Sequence, residues 1–535
     1  MPHATDIPGA QPDASRSTSL FRLQKWEWVA LALILLVAVG VRIYHLGYFS
    51  LWLDEIYSLA TSSGHYPDIR PLEMNRLLPS TPSFTNLSDA RHWRTIWPAM
   101  RQGTHPPLYL LLLRPWREMV GDSDAAVRGF SVLASLIAIG LLFDTGKRLL
   151  GSVPALWTAA LMALAWPQVQ FAQEARPYPL LLALGMGAMN ALVRIAKDGE
   201  NLRRLIALGV CLLGMALTHY FSLGALLASG VFTIIALRGK RRRRTLIAHA
   251  AAAALFLALW GPSLWNQRRI AEYRFLNDNA GHPWVATLWR VNDLPLRYFV
   301  DVYWLREISY VPGVGALVLA LLAIALGRRR ELLLPALWLV FTGGTIMLID
   351  LARHTTHLAY IRYTLLAAPA LYLLAAATAS IKRRYVGHLL PGALLLQCAL
   401  VLPSYYEQPK ENWRAMGRTL AAEARPSEPL IFAASEEWSA TSLPLCLSRY
   451  YHNPSQPVLA LDHPASPALA AQLPPGRAWL IVAASPGQQF TPAELEAWLP
   501  GSRLVHQWDW SMAVMCKMER QPRIRQSEES RSNPK

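Results

Sequence analysis

Apolar runs of about twenty residues, separated by short polar stretches, fill most of the chain up to residue 404. The first, over 26–46, is long enough to cross a hydrocarbon core of about 30 Å. It lacks a small-residue cleavage site and is expected to stay as a signal anchor. Further runs centre on 124–146, 152–170, 177–195, 203–220, 222–238, 246–264, 311–327, 332–350, 361–380 and 387–404. Between them, the run from 107 to 113 is short and is cut by Arg114, Pro115 and Arg117, which predicts a short or re-entrant helix over 107–120. After residue 404 the pattern changes to that of a small soluble α/β domain. A helix is expected over 412–424, buried strands over 430–434 and 479–483, a capped helix over 491–499, and a hairpin from 503–510 and 512–518.

Composition agrees with a polytopic membrane protein: 53% of the 535 residues are hydrophobic and 16% are charged, too apolar a balance for an ordinary soluble enzyme. The twenty Trp and nineteen Tyr suit interfacial belts. The net charge of +17 does not indicate nucleic acid, because its clusters lie between apolar runs; an anionic lipid surface is the expected partner. Lys147-Arg148, 194–204, 238–244, 328–330 and 382–384 are expected on the cytoplasmic side. That places Asp54, His219-Tyr220, the loop 265–310, the 350–357 segment and everything after 404 on the outer side. The charges close on about eleven crossings, or about twelve if every apolar run is counted.

The outer side then collects the candidate chemistry. Asp54 and Glu55 follow the first span, beside Trp52 and Tyr57. Adjacent carboxylates at the mouth of a cavity suit a general base or hard oxygen ligands for a divalent cation, Mg or Mn, although no fixed ligand spacing accompanies them. Arg176 and Arg362 offer forked donors to phosphate oxygens. Arg42, late in the first span, is expected as a third such donor, a snorkelling residue or an ion-pair partner of the acidic pair. His105, before Pro106-Pro107, is expected to contact substrate or to fix its loop.

Leu53-Asp54-Glu55, His105-Pro106-Pro107-Leu108-Tyr109, 125–136 with Arg128, Gln173-Glu174-Ala175-Arg176-Pro177-Tyr178, Thr218-His219-Tyr220 and Arg362-Tyr363 with Pro369 follow one another in an order that closely resembles the GT-C superfamily. More narrowly, it is similar to glycosyltransferase family 39, the protein mannosyltransferase and aminoarabinose transferase group, over roughly residues 25–405. The resemblance implies a GT-C fold of about 11–13 transmembrane helices over 21–404, with external loops 47–106 and 265–310. It implies an inverting transferase that takes a sugar from a polyprenyl-phosphate donor at the outer face of a bacterial cytoplasmic membrane, with the site towards the periplasm. Asp54 would be the catalytic carboxylate and Glu55 a supporting or metal-binding group. His105, Gln173, Glu174, Arg176, Tyr178, His219, Tyr220, Arg362 and Tyr363 would bind substrate. The acceptor, whether lipid, glycan or protein, stays open. Two other readings use the same helices: a transporter or flippase of a lipid-linked sugar, and a non-catalytic envelope assembly protein.

By the same resemblance the aromatic and basic loop 265–310 helps to form the donor or acceptor cavity, and residues 405–520 form a periplasmic appendage. Cys211 and Cys398 fall in apolar runs and are expected to be inert, whereas Cys446 and Cys516 share the external domain, where a disulfide is expected. Residues 1–20 and 521–535 are polar and read as disordered tails.

Overall fold

The computed structural model describes residues 24–66, 73–80, 83–270, 283–301, 330–381, 385–408, 411–434, 437–485, 488–510 and 513–520. The expected tails, the run 311–327 and the stretches 271–282 and 302–310 of the second loop lie outside the described residues. Among those described, six helices are long and apolar enough to cross a membrane: Lys25–Ile43, Asp124–Leu150, Tyr178–Asp198, Gly239–Gln267, Arg330–Arg353 and Val386–Glu407. Shorter apolar helices over Ser152–Leu164, Tyr220–Ala236 and Leu365–Ser380 pack among them. The chain is a multi-pass membrane protein.

The helices that position the site are α1 (Lys25–Ile43), α2 (Leu53–Ser62), α3 (Leu108–Val120), α4 (Asp124–Leu150), α5 (Ser152–Leu164), α6 (Trp166–Ala172), α7 (Tyr178–Asp198), α8 (Leu202–Thr218), α9 (Leu223–Ala236), α10 (Gly239–Ile270), α11 (Pro283–Arg297), α12 (Leu333–Arg353), α13 (Ala368–Ala377) and α14 (Val386–Glu407). The Ser123 hydroxyl caps α4 by accepting from the Ala126 N–H, and Gly151, at φ 91°, ends it in a conformation that side chains resist.

The run expected to be one helix over 152–170 is two. Ala165 is extended, and Pro167 sits at the first turn of α6, where its missing N–H costs nothing. The Trp166 N–H turns instead to the Phe299 carbonyl at 3.0 Å. Arg42 seals the break. Fully buried, it donates to the Ala163 carbonyl at 2.8 Å, the Met162 carbonyl at 3.1 Å and Ser135 Oγ at 2.9 Å. It therefore does not serve as a phosphate donor, a snorkelling residue or a partner of the acidic pair.

α3 is short, as its sequence predicts: thirteen residues span about 20 Å at 1.5 Å per residue. Its two arginines are buried and point at α2. Arg114 donates to the Ser62 and Arg91 carbonyls, and Arg117 donates to the Leu59 and Thr85 carbonyls. α9 and α12 approach so closely that a Cβ on Gly224 would collide with the Phe341 carbonyl. At the ends of α4 and α7 away from α2, Asp144 and Asp198 bind Arg148 and Arg194, so the basic clusters there carry their own counter-charges.

α14 runs three residues past the boundary expected at 404, and a sheet-containing domain follows it. Its six-stranded sheet has the order β1-β3-β2-β4-β6-β5, with β1 Leu77–Leu78, β2 Leu430–Ala433, β3 Val458–Leu461, β4 Gly476–Ala483, β5 Ser502–Trp510 and β6 Ala513–Arg520. β2 pairs in parallel with β3 and β4, and β5 with β6 forms the expected hairpin. Helices α15 (Trp413–Glu423) and α16 (Glu437–Ser448) cover one face. The edge strand β1 comes from the segment between α2 and α3, which ties that segment to the domain.

The expected Cys446–Cys516 disulfide is absent: both are free thiols. Side chains alternate across a strand, so Cys516 points with Val514 and Met518 into one layer, while Cys446 on α16 packs in the other, against Phe432 and Met515.

The domain also docks on the membrane helices beside α2. The Leu51 N–H donates to the Tyr450 hydroxyl at 2.6 Å, and that hydroxyl donates to Asp124 at 2.7 Å. Arg414 binds Asp124 and the Gly47 carbonyl, and Arg449 binds Asp122.

Candidate active site

Asp54 and Glu55 lie in the first turn of α2, where the helix N-terminus favours negative charge. A helix turns about 100° per residue, so the two neighbours face different ways. Glu55 is wholly buried against Arg128 of α4, with Nε to Oε1 at 2.8 Å and Nη2 to Oε2 at 2.7 Å. Its oxygens also accept from the Ala175 N–H at 2.8 Å and the Trp52 N–H at 3.2 Å. Arg128 uses its remaining donors on the carbonyls of Leu46, Phe49 and Ser50. Glu55 is therefore the fastening of α2 to α4 and the 173–177 turn, not a catalytic or metal-binding group.

Asp54 faces the other way, into a basic and aromatic cluster. Its Oδ2 lies 3.3 Å from Arg176 Nη2 and 3.5 Å from Arg362 Nη1. Arg176 is further held by the Asp54 carbonyl at 3.0 Å and Ser58 Oγ at 3.3 Å. Arg362 stands among the rings of Trp52, Tyr360 and Tyr363, at 5.7, 5.1 and 5.1 Å. It is placed there by Asp350 at the end of α12, which accepts from the His357 and Leu358 N–H groups and folds the chain back after the left-handed His354.

The other expected residues divide. Tyr178 closes one side, its ring 6.0 Å from the Arg176 guanidinium and 5.7 Å from the His219 ring. His219 lies 5.0 Å from His105 and 6.4 Å from Tyr363, ring to ring. Its Nδ1 accepts from the Phe221 N–H at 3.2 Å, which leaves Nε2 as the protonated nitrogen of a neutral ring. Burial, and then the Arg176 and Arg362 cations, hold the His105 pKa down to about 3, so this ring is neutral.

Two expected ligands point elsewhere. Gln173 donates to the carbonyls of Arg42 at 3.0 Å and Tyr44 at 2.7 Å, capping the end of α1. The Tyr220 hydroxyl donates to Gln267 and accepts from Trp260 at 2.8 Å, and Gln267 in turn reaches the carbonyls of Met100 and His105. Tyr220 thus anchors the His105 loop from outside. Glu174 is buried beside Gln170, and its carbonyl takes the Arg176 N–H at 2.8 Å, which helps to turn the chain.

Five polar atoms around Asp54 are buried without a hydrogen-bond partner among the described residues: Trp52 Nε1, His105 Nδ1, Arg176 Nε, His219 Nε2 and Arg362 Nε. Unsatisfied buried donors in such number mark a place for a polar ligand. A divalent cation fits poorly there, because Glu55 is fully committed and Asp54 already faces two guanidinium groups. Among the described residues no group of three or more His, Cys, Asp or Glu side chains could hold a metal.

Sequence reasoning passed over the role of Arg128, which a charge early in a spanning helix could have flagged, and passed over Glu411 altogether. Glu411, between α14 and α15, accepts from Trp413 Nε1 at 2.5 Å and from the backbone N–H of Leu53, at the start of α2. Burial, reinforced by the charges of Glu55 and Asp54 and opposed by the Trp413 bond, pushes its pKa up to about 7. An acid that stays neutral in the fold but ionises near 4.5 when unfolded makes the fold less stable as pH rises between those values. The melting temperature in detergent is expected to fall between about pH 4.5 and pH 7, and less so in Glu411→Gln. An equal slope in both proteins would remove Glu411 as its source.

Residues 104–265 match the family described as dolichyl-phosphate-mannose-protein mannosyltransferase, a segment that includes His105, Arg128, Arg176 and His219. No curated protein matches the chain by sequence. ArnT from Cupriavidus metallidurans, solved bound to undecaprenyl phosphate, shares the fold at a TM-score of 0.52 and 15% identity, over 92% of this chain and 98% of that one. An Archaeoglobus fulgidus oligosaccharyltransferase aligns at a TM-score of 0.49 and 12% identity over 87% of this chain and 70% of its own. The chain thus carries a segment similar to the dolichyl-phosphate-mannose-protein mannosyltransferase family and has a fold similar to that of ArnT.

Proposed function

We propose that the protein is an inverting glycosyltransferase that moves a sugar from a polyprenyl-phosphate donor to an acceptor at the outer face of a bacterial cytoplasmic membrane. The family segment and the fold support glycosyl transfer in general. The observation that carries the specific reading is the Asp54 carboxylate set between Arg176 and Arg362 in a cluster of unsatisfied donors. A relative of the same fold has been solved with undecaprenyl phosphate, a lipid of the proposed donor class.

The chemistry follows from the side chains present. An acceptor hydroxyl gives its proton to Asp54 as its oxygen bonds to the anomeric carbon from the face opposite the phosphate. The bond from that carbon to the phosphate oxygen breaks, and the electron pair leaves with the lipid phosphate. Arg176 and Arg362 stabilise the charge that develops there. The Nε2–H of His219 and the Nε1–H of Trp52 are fixed donors for sugar hydroxyls, and the rings of Tyr178 and Tyr363 wall the site. No step requires a metal.

An Arg362→Ala protein is expected to bind polyprenyl phosphate about 10–100-fold more weakly, the worth of one charge-assisted contact. Its affinity for the uncharged polyprenol should stay unchanged. Equal phosphate affinity in the two proteins would remove Arg362 from the donor site and with it the main support for the reading.

A further inference from the structure

Asp54 and the donor phosphate need the same two arginines. Without a ligand, both guanidinium groups converge on a single carboxylate oxygen, Oδ2, at 3.3 and 3.5 Å. These contacts are long for charge-assisted bonds, whose usual range is roughly 2.7–2.9 Å. Among the described residues Arg362 has no other close acceptor than the Tyr363 hydroxyl at 3.4 Å, and the Nε atoms of both arginines are unsatisfied. Glu55, the neighbouring anion, is spent on Arg128, and His105 is neutral. The cluster Asp54, Arg176 and Arg362 therefore holds two cations against one carboxylate, loosely engaged.

On the reading above, we infer that in the donor-free enzyme Asp54 occupies the seat of the donor's phosphate, so that lipid phosphate and Asp54 compete for Arg176 and Arg362. In that state Oδ2 faces the two guanidinium groups rather than an acceptor hydroxyl. When a phosphodiester takes those partners, Asp54 is released at the anomeric carbon as the acceptor arrives. Donor binding therefore favours deprotonation of the acceptor. The product, a polyprenyl phosphate monoester with a second ionisation near pH 6, carries more charge than the donor. It holds the same arginines harder and inhibits competitively against the donor.

The test is a double-mutant cycle on equilibrium binding of undecaprenyl phosphate in detergent, with undecaprenol as the uncharged control. Asp54→Asn is expected to bind the phosphate roughly tenfold more tightly than wild type. Asp54→Ser is expected to do the same, which guards against a fold defect in either variant. In an Arg362→Ala background the gain should shrink, because one of the two contested partners is gone. Unchanged or weaker binding by both Asp54 variants would overturn the inference. A gain undiminished in the Arg362→Ala background would also overturn it, since it would reflect plain repulsion between anions. Wild-type protein that prefers undecaprenol or binds neither lipid would instead defeat the proposed function itself.

Discussion

An Asp54→Asn protein is expected to fold, to bind the lipid donor, and to transfer sugar about 10²–10⁴-fold more slowly, the usual loss when a general base is removed. Asparagine is close in size and keeps a carbonyl oxygen towards Arg176 and Arg362, so the packing of α2 is preserved. It cannot take a proton from an acceptor hydroxyl. Initial rates with labelled donor, beside a melting curve for each protein, separate lost chemistry from lost structure. Wild-type rates in a stably folded variant would strip Asp54 of the role assigned to it. The neighbouring carboxylate should behave differently, because its partner is structural.

Arg128→Ala is expected to be the most damaging single change to the fold. Glu55 is wholly buried, and Arg128 is its partner at 2.7 Å as well as the donor to three carbonyls of the 46–50 segment. Removing one member of a buried ion pair leaves the other charge without compensation and typically costs about 3–5 kcal/mol. That is a large share of the stability of most domains. Little folded protein should be recovered from the membrane in detergent, whereas Arg128→Ala combined with Glu55→Gln should recover part of the yield. A normal melting temperature for Arg128→Ala alone would contradict the role given to this pair.

The contrast between Asp54 and Glu55 shows where the sequence is legible and where it is not. That an acidic pair, a His-Pro-Pro turn, the 173–178 motif and Arg362 belong together can be read from their order along the chain. Which carboxylate faces the basic cluster cannot, because it depends on the rotation of α2, and Arg128 fixes that rotation from 73 positions away. Gln173 and Tyr220 share motifs with Arg176 and His219 but point away from them, one to cap α1 and the other to Gln267. Adjacent residues on a turn or helix end need not share a surface, so motif membership overstates membership of the site.

In the C-terminal domain the buried strand runs and the capped helix were readable because their signals are local. β1 was missed because it is two residues long and lies far from the other strands in the chain, and α16 because Pro444 interrupts its pattern. The expected disulfide failed for a related reason. Sharing a domain says nothing of which face of the sheet each cysteine occupies, and Cys446 and Cys516 lie on opposite ones.

The central claim is tested most directly by incubating the purified protein with a polyprenyl-phosphate pool labelled in its sugar, together with cell-envelope extract, and following the label. The account predicts that wild-type protein moves label from the lipid donor to an acceptor and releases polyprenyl phosphate, and that Asp54→Asn does so at a small fraction of that rate. Label that stays on the donor with wild type, or that moves equally with both proteins, would contradict it.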